Sequence, residues 1–311
     1  MNKLNLTIGV TTVAFSSNKE LVNLLTEKTG LNVKLNPKGK RLQESELINF
    51  LQDCEFAIVG LDIIKKEILE QLPRLKIISK YGVGLDNINL KDCEKFGIKV
   101  LHTQGVNKRS VAELTLGYML SLCRNIFVTA NKMKEGVWEK NGGIQLTDKT
   151  IGIIGVGNIG KDLINLLKPF NCKILVNDIL NIEEFCKLNN CTSVSKDYLF
   201  ANSDIITVHT PLNNETNNLL NKSTFDSMKK SAIVINTSRG GIVNQNDLKE
   251  ALIERKIAGA AIDVFDIEPP SDLNLISIPN LISTPHIGGN AIEAVFGMGE
   301  ASINNLLNEL N

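Results

Sequence analysis

The stretch Ile151-Gly-Ile-Ile-Gly-Val-Gly-Asn-Ile-Gly160 decides the fold of this 311-residue chain. Gly155, Gly157 and Gly160 form the pattern G-x-G-x-x-G, directly after an apolar run typical of a buried strand and before a helix-like run at residues 161–167. The first glycine permits a tight turn, the second lets the backbone approach a pyrophosphate, and the third lets the helix pack closely on the strand. The sequence therefore predicts a dinucleotide site at this turn.

An acidic residue, Asp178, ends the next strand-like run, at the distance from the glycines at which a carboxylate accepts hydrogen bonds from a ribose. A carboxylate repels a 2′-phosphate, and neither Ile179 nor Leu180 can pair with one. The pattern therefore favours NAD over NADP as the cofactor. The alternative is that Asp178 only caps a loop.

Short aliphatic runs alternate with helical patterns along the whole chain, which is typical of parallel α/β sheets. Strands are predicted at residues 6–10, 32–35, 56–59, 75–79 and 98–101, with helices at 18–28, 43–51 and 65–72 between them. After a long helix or helix pair at 109–134, strands follow at 151–154, 173–177, 204–209, 232–237, 258–264 and 281–284. The chain is therefore predicted to be α/β, with two doubly wound parallel-sheet domains, and its last helix, at 291–310, is expected to return to the first.

Composition and charge exclude several classes of function. Lys and Arg together number 34, as do Asp and Glu, so no overall positive charge attracts nucleic acid. No stretch reaches the roughly 18 apolar residues that a membrane helix needs, and the N-terminus lacks a signal-peptide pattern, so we expect no membrane partner and a cytoplasmic location. The six cysteines form no C-x-x-C pair and no zinc-like spacing with histidine, so we predict buried thiols and no metal site.

Three polar residues stand after predicted strands of the second sheet, where open α/β folds bind ligands. Arg239 suits a carboxylate because its planar fork of donors binds one bidentately. Glu268 next to His286 would orient the imidazole and favour its protonated form, as a general acid/base for hydride transfer requires. Only two other histidines exist, His102 and His209. Taken singly, each such residue is more often structural or solvated.

The chain resembles the D-isomer-specific 2-hydroxyacid dehydrogenase family, and the resemblance covers nearly its whole length. The stretches that carry it are Tyr81-Gly-Val-Gly-Leu-Asp-Asn-Ile88, Asn107-Lys-Arg-Ser-Val-Ala-Glu113, the glycine motif, His209-Thr-Pro-Leu212, Asn236-Thr-Ser-Arg-Gly240, Gly259-Ala-Ala-Ile-Asp-Val264, Glu268-Pro269 and Thr284-Pro-His-Ile-Gly-Gly289. Asn89 and Ser238 stand where the family commonly has other residues, but neither departure removes a catalytic group. Asn290 stands where Ser or Thr is common, which implies a different wall beside His286.

The resemblance implies roles for individual residues. Arg239, Glu268 and His286 would form the catalytic triad, with His286 as the general acid/base. The cofactor NAD would be bound by the glycine motif, including Val156, Asn158 and Ile159, and by Asp178 together with His209, Thr210, Pro211, Thr216, Thr237, Ser238, Asp263 and Gly288. The substrate would be bound by Lys80, Tyr81, Val83, Gly84 and Asn107, with Lys80 and Lys108 as candidate partners of a substrate phosphate.

The family architecture also implies how the domains are arranged along the chain. A Rossmann NAD-binding domain at residues 101–287 would be inserted into a flavodoxin-like substrate-binding domain built from 1–100 and 288–311, with hinges that close the cleft to water. A homodimer would form largely through the cofactor domain, around residues 109–134. For Trp138, the only tryptophan, packing is expected rather than contact with a neighbouring active site.

Several substrates stay open within the family. The block at residues 80–87 most resembles the phosphoglycerate dehydrogenase branch, which would place the chain in serine biosynthesis. Because we expect no regulatory domain after residue 311, we predict no serine feedback through such a domain. Glyoxylate or hydroxypyruvate reductases and D-lactate dehydrogenases share the same motifs, whereas formate dehydrogenases are expected to have Gln at the position of Glu268. An alternative of another class is an NAD(H)-sensing, corepressor-like binding protein.

Overall fold

The computed structural model describes residues 6–310, so positions 1–5 and 311 of the predicted substrate-binding domain lie outside the described residues. The chain divides into two compact units, one comprising Met1–Asn107 and Gly289–Asn311 and the other Lys108–Gly288. One unit is therefore inserted into the other along the chain.

Unit 1 contains a five-stranded parallel sheet. Its strands, in the order β2-β1-β3-β4-β5, are β1 (Thr7–Val10), β2 (Asn32–Leu35), β3 (Phe56–Val59), β4 (Ile77–Lys80) and β5 (Lys99–Leu101). This order is that of a flavodoxin-like doubly wound sheet. The order reverses beside β1, because β2 pairs on one side of it and β3 on the other.

Helices cover both faces of this sheet. They are α1 (Val13–Ser17), α2 (Lys19–Thr29), α3 (Glu44–Leu51), α4 (Lys66–Leu69), α5 (Leu90–Lys95) and the returning C-terminal helix α14 (Ile292–Leu310). One apolar core joins the sheet to α3, α4 and α5, and a second joins it to α1, α2 and α14. The prediction that the last helix returns to the first domain is thereby confirmed, and Ser79 on β4 donates to the carbonyl of Ser302 on α14.

The boundary between the units lies later than the predicted residue 100. Residues 101–107, which we expected in the inserted domain, lie with unit 1. Leu101 is part of β5, and the hydroxyl of Thr103 donates to Asn305 on α14 at 3.3 Å. Val106 packs against the core that contains α14. Sheet pairing and this packing hold the segment in unit 1.

Unit 2 contains a seven-stranded parallel sheet in the order β12-β11-β10-β9-β6-β7-β8. The strands are β6 (Thr150–Ile154), β7 (Lys173–Asn177), β8 (Cys191–Ser193), β9 (Ile205–Val208), β10 (Ile233–Asn236), β11 (Gly259–Ile262) and β12 (Leu281–Ser283). The order runs outward in both directions from the β6–β9 pair, as in a Rossmann fold. Both predicted doubly wound sheets are thus confirmed.

Helices again lie on both faces of this second sheet, and each face has its own apolar core. The helices are α6 (Lys108–Cys123), α7 (Ile126–Lys134), α8 (Asn158–Leu167), α9 (Glu183–Asn189), α10 (Lys196–Asn202), α11 (Lys222–Ser227), α12 (Gln245–Ile253) and α13 (Leu273–Ile276). Within residues 6–310, no single helix is long and apolar enough to cross a membrane; α6 and α7 meet that test only together, bent by 66°.

Candidate active site

The carboxyl ends of the parallel strands bring most of the predicted site residues of unit 2 to one edge of its sheet. Asp178 follows β7, Arg239 follows β10, Asp263 follows β11 and His286 follows β12. The glycine motif follows β6, where the strand order reverses. This is the crevice in which open α/β sheets bind their ligands.

The glycine motif has the geometry that a pyrophosphate requires. Gly155 has a φ of 91°, and a Cβ there would lie 2.5 Å from the carbonyl oxygen of His209. A Cβ on Gly160 would lie 2.2 Å from the carbonyl oxygen of Gly155, so that only glycine permits this approach of α8 to the turn. A Cβ on Gly157, in contrast, would meet nothing within 4 Å. The backbone at the start of α8 is therefore open to a ligand.

Unsatisfied polar atoms beside this turn fit a dinucleotide. His209 Nδ1 and Thr210 Oγ1 are buried and have no hydrogen-bond partner, whereas His209 Nε2 lies 3.0 Å from the hydroxyl of Thr207. Burial lowers the pKa of His209 to about 4, so its imidazole is neutral near pH 7. Buried polar atoms without partners are uncommon in native structures, and a polar ligand would satisfy these two. The residues present therefore fit NAD.

Asp178 is tied to the glycine turn itself. Its carboxylate accepts hydrogen bonds from the backbone N–H of Val156 at 2.6 Å and of Leu180 at 2.9 Å. Asp178 therefore caps the loop next to the glycines, and its contact with a ribose stays a prediction. Ile179 and Leu180, which follow it, are exposed apolar side chains.

The hydroxyls of three other predicted cofactor residues are engaged within the protein. Thr216 donates to the carbonyl of Pro211 at 2.6 Å, and Ser238 donates to the side chain of Asn236 at 2.8 Å. The hydroxyl of Thr237 lies 3.0 Å from that of Thr115 on α6. These side chains shape the loops after β9 and β10, and their predicted contacts with the cofactor stay predictions.

Glu268 and His286 form a direct pair. His286 Nδ1 lies 2.9 and 3.0 Å from the two carboxylate oxygens of Glu268, which also accepts from the backbone N–H of Phe265. The hydrogen bond and charge of Glu268 outweigh burial and raise the pKa of His286. Burial opposes ionisation of Glu268, but the hydrogen bond and charge of His286, with the Phe265 N–H and Arg239, hold the pKa of Glu268 below its ordinary value.

Arg239 lies close to this pair. Its positive charge lowers the pKa of both Glu268 and His286. The loop that carries it is fixed by Asn236, which is buried, accepts from the N–H of Ser238 and donates to the carbonyl of Arg239 at 2.8 Å. The structure thus brings the three residues of the predicted triad together at one edge of the sheet.

The backbone of the His286 loop is held by a buried carboxylate. His286 has a φ of 55°, in the left-handed region that most side chains avoid. Asp263, which is fully buried, accepts from the N–H of Ile287 at 2.8 Å, the N–H of Gly288 at 2.7 Å and the hydroxyl of Thr284. The hydroxyl of Tyr118 on α6 contacts that of Thr284 in turn. These contacts stabilise the unfavourable backbone conformation of His286.

Three of these supporting residues were missed as functional candidates. Asn236 and Thr284 lie inside motifs that were recognised, next to Arg239 and His286, so their positions offered a signal. Tyr118 lies in the middle of a helix and belongs to no motif. Only the folded packing of α6 on the sheet places it beside β12.

In unit 1, two predicted substrate residues turn out to have side chains committed to the interior. Lys80 is buried and its Nζ donates to the carbonyl of Gly60 and to Asn87 Oδ1, which argues against the predicted contact with a substrate phosphate. Tyr81 packs edge-on against Phe15, donates to the carbonyl of Val295, and burial raises its pKa to about 12.

The other predicted substrate residues keep groups that a ligand could use. Val83 and Gly84 lie half-exposed in the turn after β4. Asn107 Oδ1 is buried without a partner. Their contacts with a substrate stay predictions.

The six cysteines lie outside the strands and loops that carry Glu268 and His286. Among residues 6–310, no group of three or more His, Cys, Asp or Glu side chains could hold a metal ion. All six thiols are free, and burial raises the pKa of Cys54 to about 12 and of Cys123 to about 11. Four of the six are buried as predicted, while Cys172 and Cys191 are half-buried.

Comparison with known proteins gives one family. Residues 116–288 match the model of the D-isomer specific 2-hydroxyacid dehydrogenase, NAD binding domain. Hydroxypyruvate reductase of Thermotoga maritima is 36% identical over 298 residues, covering 94% of this chain and 95% of that protein. D-3-phosphoglycerate dehydrogenase of Homo sapiens is 37% identical over 264 residues, covering 84% of this chain but only 50% of that protein, so the chain spans about half its length.

A solved structure extends the similarity to the whole fold. The crystal structure of the TT0316 protein from Thermus thermophilus has a TM-score of 0.90 and 31% sequence identity, covering 98% of this chain and 97% of that one. Together with the matched NAD-binding domain, the near full-length relative and the paired Glu268 and His286, this leaves one conclusion. The chain belongs to the D-isomer-specific 2-hydroxyacid dehydrogenase family.

Proposed function

We propose that this protein is an NAD-dependent D-2-hydroxyacid dehydrogenase that interconverts a 2-hydroxy acid and its 2-keto acid. The observation that carries the proposal is the contact of His286 Nδ1 with the Glu268 carboxylate, at the same sheet edge as the glycine motif. A histidine held in this way provides a proton at near-neutral pH next to a cofactor that accepts or supplies a hydride.

His286 acts as the general acid when the keto acid is reduced. Glu268 occupies Nδ1, so Nε2 is the ring nitrogen left to donate a proton to the carbonyl oxygen at C2. The raised pKa keeps more of the imidazole protonated above pH 6.5, which reduction requires. When bound, NADH supplies the hydride to C2. In the opposite direction the neutral imidazole removes the hydroxyl proton.

Arg239 provides the positive charge that the anionic substrate requires. Its guanidinium would bind the substrate carboxylate and polarise the carbonyl that becomes the alcohol. We also assign a contact with a substrate carboxylate to the main chain around Val83 and Gly84, because backbone N–H groups in a turn after a parallel strand are suited to bind an anion.

The substrate is proposed to be a small 2-keto acid, with hydroxypyruvate and its 3-phosphate as the first compounds to compare. The hydroxypyruvate reductase of Thermotoga maritima aligns over almost its full length, which supports the unphosphorylated acid. The similarity to D-3-phosphoglycerate dehydrogenase supports the phosphorylated acid, but that alignment covers only 50% of the relative's length. Glyoxylate and pyruvate belong in the same comparison.

The test is a substrate panel of these four acids with NADH and, separately, NADPH. We expect NADH oxidation with at least one acid, and a His286→Ala variant that binds NADH like the wild type but loses turnover by a factor of about 100 or more. Tight NADH binding without turnover of any acid would refute the enzyme and favour the NAD(H)-sensing binding protein.

We further propose that two copies of the chain associate through α7. Three large apolar side chains on this helix, Ile126, Phe127 and Met133, are exposed, and no residue of α7 is buried. Trp138, which follows the helix, is 74% exposed, so the expectation that it packs within its own chain is wrong. Light scattering should give a dimer for the wild type and a monomer for Phe127→Glu. The cytoplasmic location and a place in serine biosynthesis stay predictions.

A further inference from the structure

The loop from Tyr81 to Asp86 in unit 1 is closed at its base by two side chains, Lys80 before it and Asn87 after it. Lys80 Nζ donates to the carbonyl of Gly60 at 2.5 Å and to Asn87 Oδ1 at 2.6 Å. Asn87 Nδ2 donates to the carbonyls of Gly60 at 3.0 Å and of Asp62 at 2.5 Å. We call Lys80 and Asn87, with the three bonds that end on Gly60 and Asp62, the lysine–asparagine clamp.

The clamp joins the carboxyl ends of two neighbouring strands. Val59, the last residue of β3, pairs in register with Lys80, the last residue of β4, and Tyr81 N–H donates to the carbonyl of Val59. Farther along, the N–H of Ile64 donates to the carbonyl of Asn87. The loop between these anchors therefore has both of its ends fixed to the segment that follows β3.

The side chain of Lys80 also lies directly beneath the loop. A Cβ built on Gly82, which has a φ of 118°, would lie 3.6 Å from Lys80 Cε. Lys80 is only 4% exposed, so its side chain fills the space under the peptide groups that lead to Val83 and Gly84.

We propose that Lys80 and Asn87 are positioning residues, which fix the turn at Val83 and Gly84 so that its N–H groups meet the carboxylate of the substrate. Lys80 acts through the loop, by the hydrogen bonds of its Nζ, rather than by touching the substrate. This inference rests on the proposed function, since it requires that the turn binds a substrate carboxylate. It replaces the expectation that Lys80 binds a substrate phosphate.

The two readings of Lys80 predict different substrate patterns. A direct phosphate ligand affects only a phosphorylated acid, whereas the clamp affects the carboxylate that every 2-keto acid carries. Lys80→Met keeps the length of the side chain and removes its charge, and Asn87→Leu keeps approximate size and removes the amide. Lys91→Met, the same change at an exposed lysine on α5, is the matched control.

We expect Lys80→Met and Asn87→Leu each to raise KM about tenfold or more for both hydroxypyruvate and its 3-phosphate, because the turn loses hydrogen bonds that hold its N–H groups in place. The Kd for NADH and the kcat at saturating keto acid should stay close to those of the wild type and of Lys91→Met. A variant that is partly unfolded would instead lose kcat at unchanged KM.

Two results would overturn the clamp. One is a wild-type KM for hydroxypyruvate in both variants, and the other is a rise in KM that is confined to the phosphorylated acid. If the wild type turned over no keto acid, the proposed function would fail separately. Calorimetric titration of the NADH complexes with oxalate would then still judge the clamp, because equal oxalate affinity in wild type and variants would refute it.

Discussion

Substitution of Gly157 by alanine separates ligand binding from folding at the glycine motif. Gly157 has a φ of −77° and a ψ of −153°, which alanine adopts without strain, and its Cβ would meet no atom within 4 Å. We therefore expect the free energy of unfolding to change by less than about 1 kcal/mol, since only the weak preference for glycine at a helix N-cap is lost.

The same methyl group would occupy the space through which a pyrophosphate approaches the start of α8. Pushing an anion away from backbone N–H donors removes hydrogen bonds to a charged group, each worth about 1.5–3 kcal/mol. At about 1.4 kcal/mol for each factor of ten, the loss of a single such bond raises the Kd for NADH about tenfold to a hundredfold. Gly157→Ala should therefore fold normally and bind NADH poorly.

Gly160→Ala is the matched control, because its Cβ would lie 2.2 Å from a backbone oxygen. Relieving this overlap must move α8 away from the turn, which costs about 1–3 kcal/mol and lowers Tm by several degrees. Thermal melting and calorimetric NADH titration of both variants check the pair. Wild-type NADH affinity in Gly157→Ala would refute the assignment of the open space to a pyrophosphate.

Three further predictions concern the site. Glu268→Gln removes the main cause of the raised pKa of His286, so the high-pH limb of kcat/KM for keto-acid reduction should move to lower pH; an unmoved limb would contradict the assignment of the general acid. Tyr118→Phe should lower kcat about tenfold at unchanged Kd for NADH, whereas Tyr198→Phe, at an exposed tyrosine, should leave both unchanged. Asp178→Ala should weaken NADH binding about tenfold. It should also reduce the preference of the protein for NADH over NADPH, measured as the ratio of the two Kd values.

Much of the fold was predictable because buried parallel strands are short aliphatic runs. Three predicted strands, at 32–35, 56–59 and 173–177, have the observed bounds. The strand Cys191–Ser193 was missed, since it is a half-exposed edge strand of three residues without an apolar run. Strands that are buried on both faces have continuous apolar runs and can be predicted from them, whereas this edge strand is not buried in that way and has no such run.

The helical stretch at residues 109–134 shows a feature that the apolar pattern could not decide, namely whether it forms one helix or two. Its apolar stripe was consistent with one helix or with two, and the structure has two, separated at Asn125, whose φ of 52° ends α6. Asparagine tolerates this backbone region more readily than most residues, so a break was chemically plausible here. The pattern could not show that the break exposes the side chains of α7.

The sequence allowed us to predict which residues form the candidate site, but not which contacts these residues make with one another. Arg239, Glu268 and His286 each follow a strand or its loop, and a family pattern names them. Lys80 was misjudged for a physical reason, because a lysine after a strand is normally solvated, and only the folded positions of Gly60 and Asn87 reveal that its ammonium is satisfied inside the protein. Contacts between residues far apart in sequence cannot be inferred from spacing.

The burial of each side chain in the candidate site fits the role proposed for it, which is proton transfer for His286 and Glu268 and support of the loops for Asp263 and Asn236. The side chains of His286 and Glu268 are 38% and 36% exposed, which suits the proposed proton transfer, since a general acid has to reach both substrate and solvent. Asp263 and Asn236, which hold the loops beneath them, are 0% and 1% exposed. Hydrogen bonds in such buried positions cannot be replaced by water without a penalty, so they restrict the loops most strongly. Substitutions at the buried pair should therefore disturb catalysis through geometry, and those at the exposed pair through proton transfer.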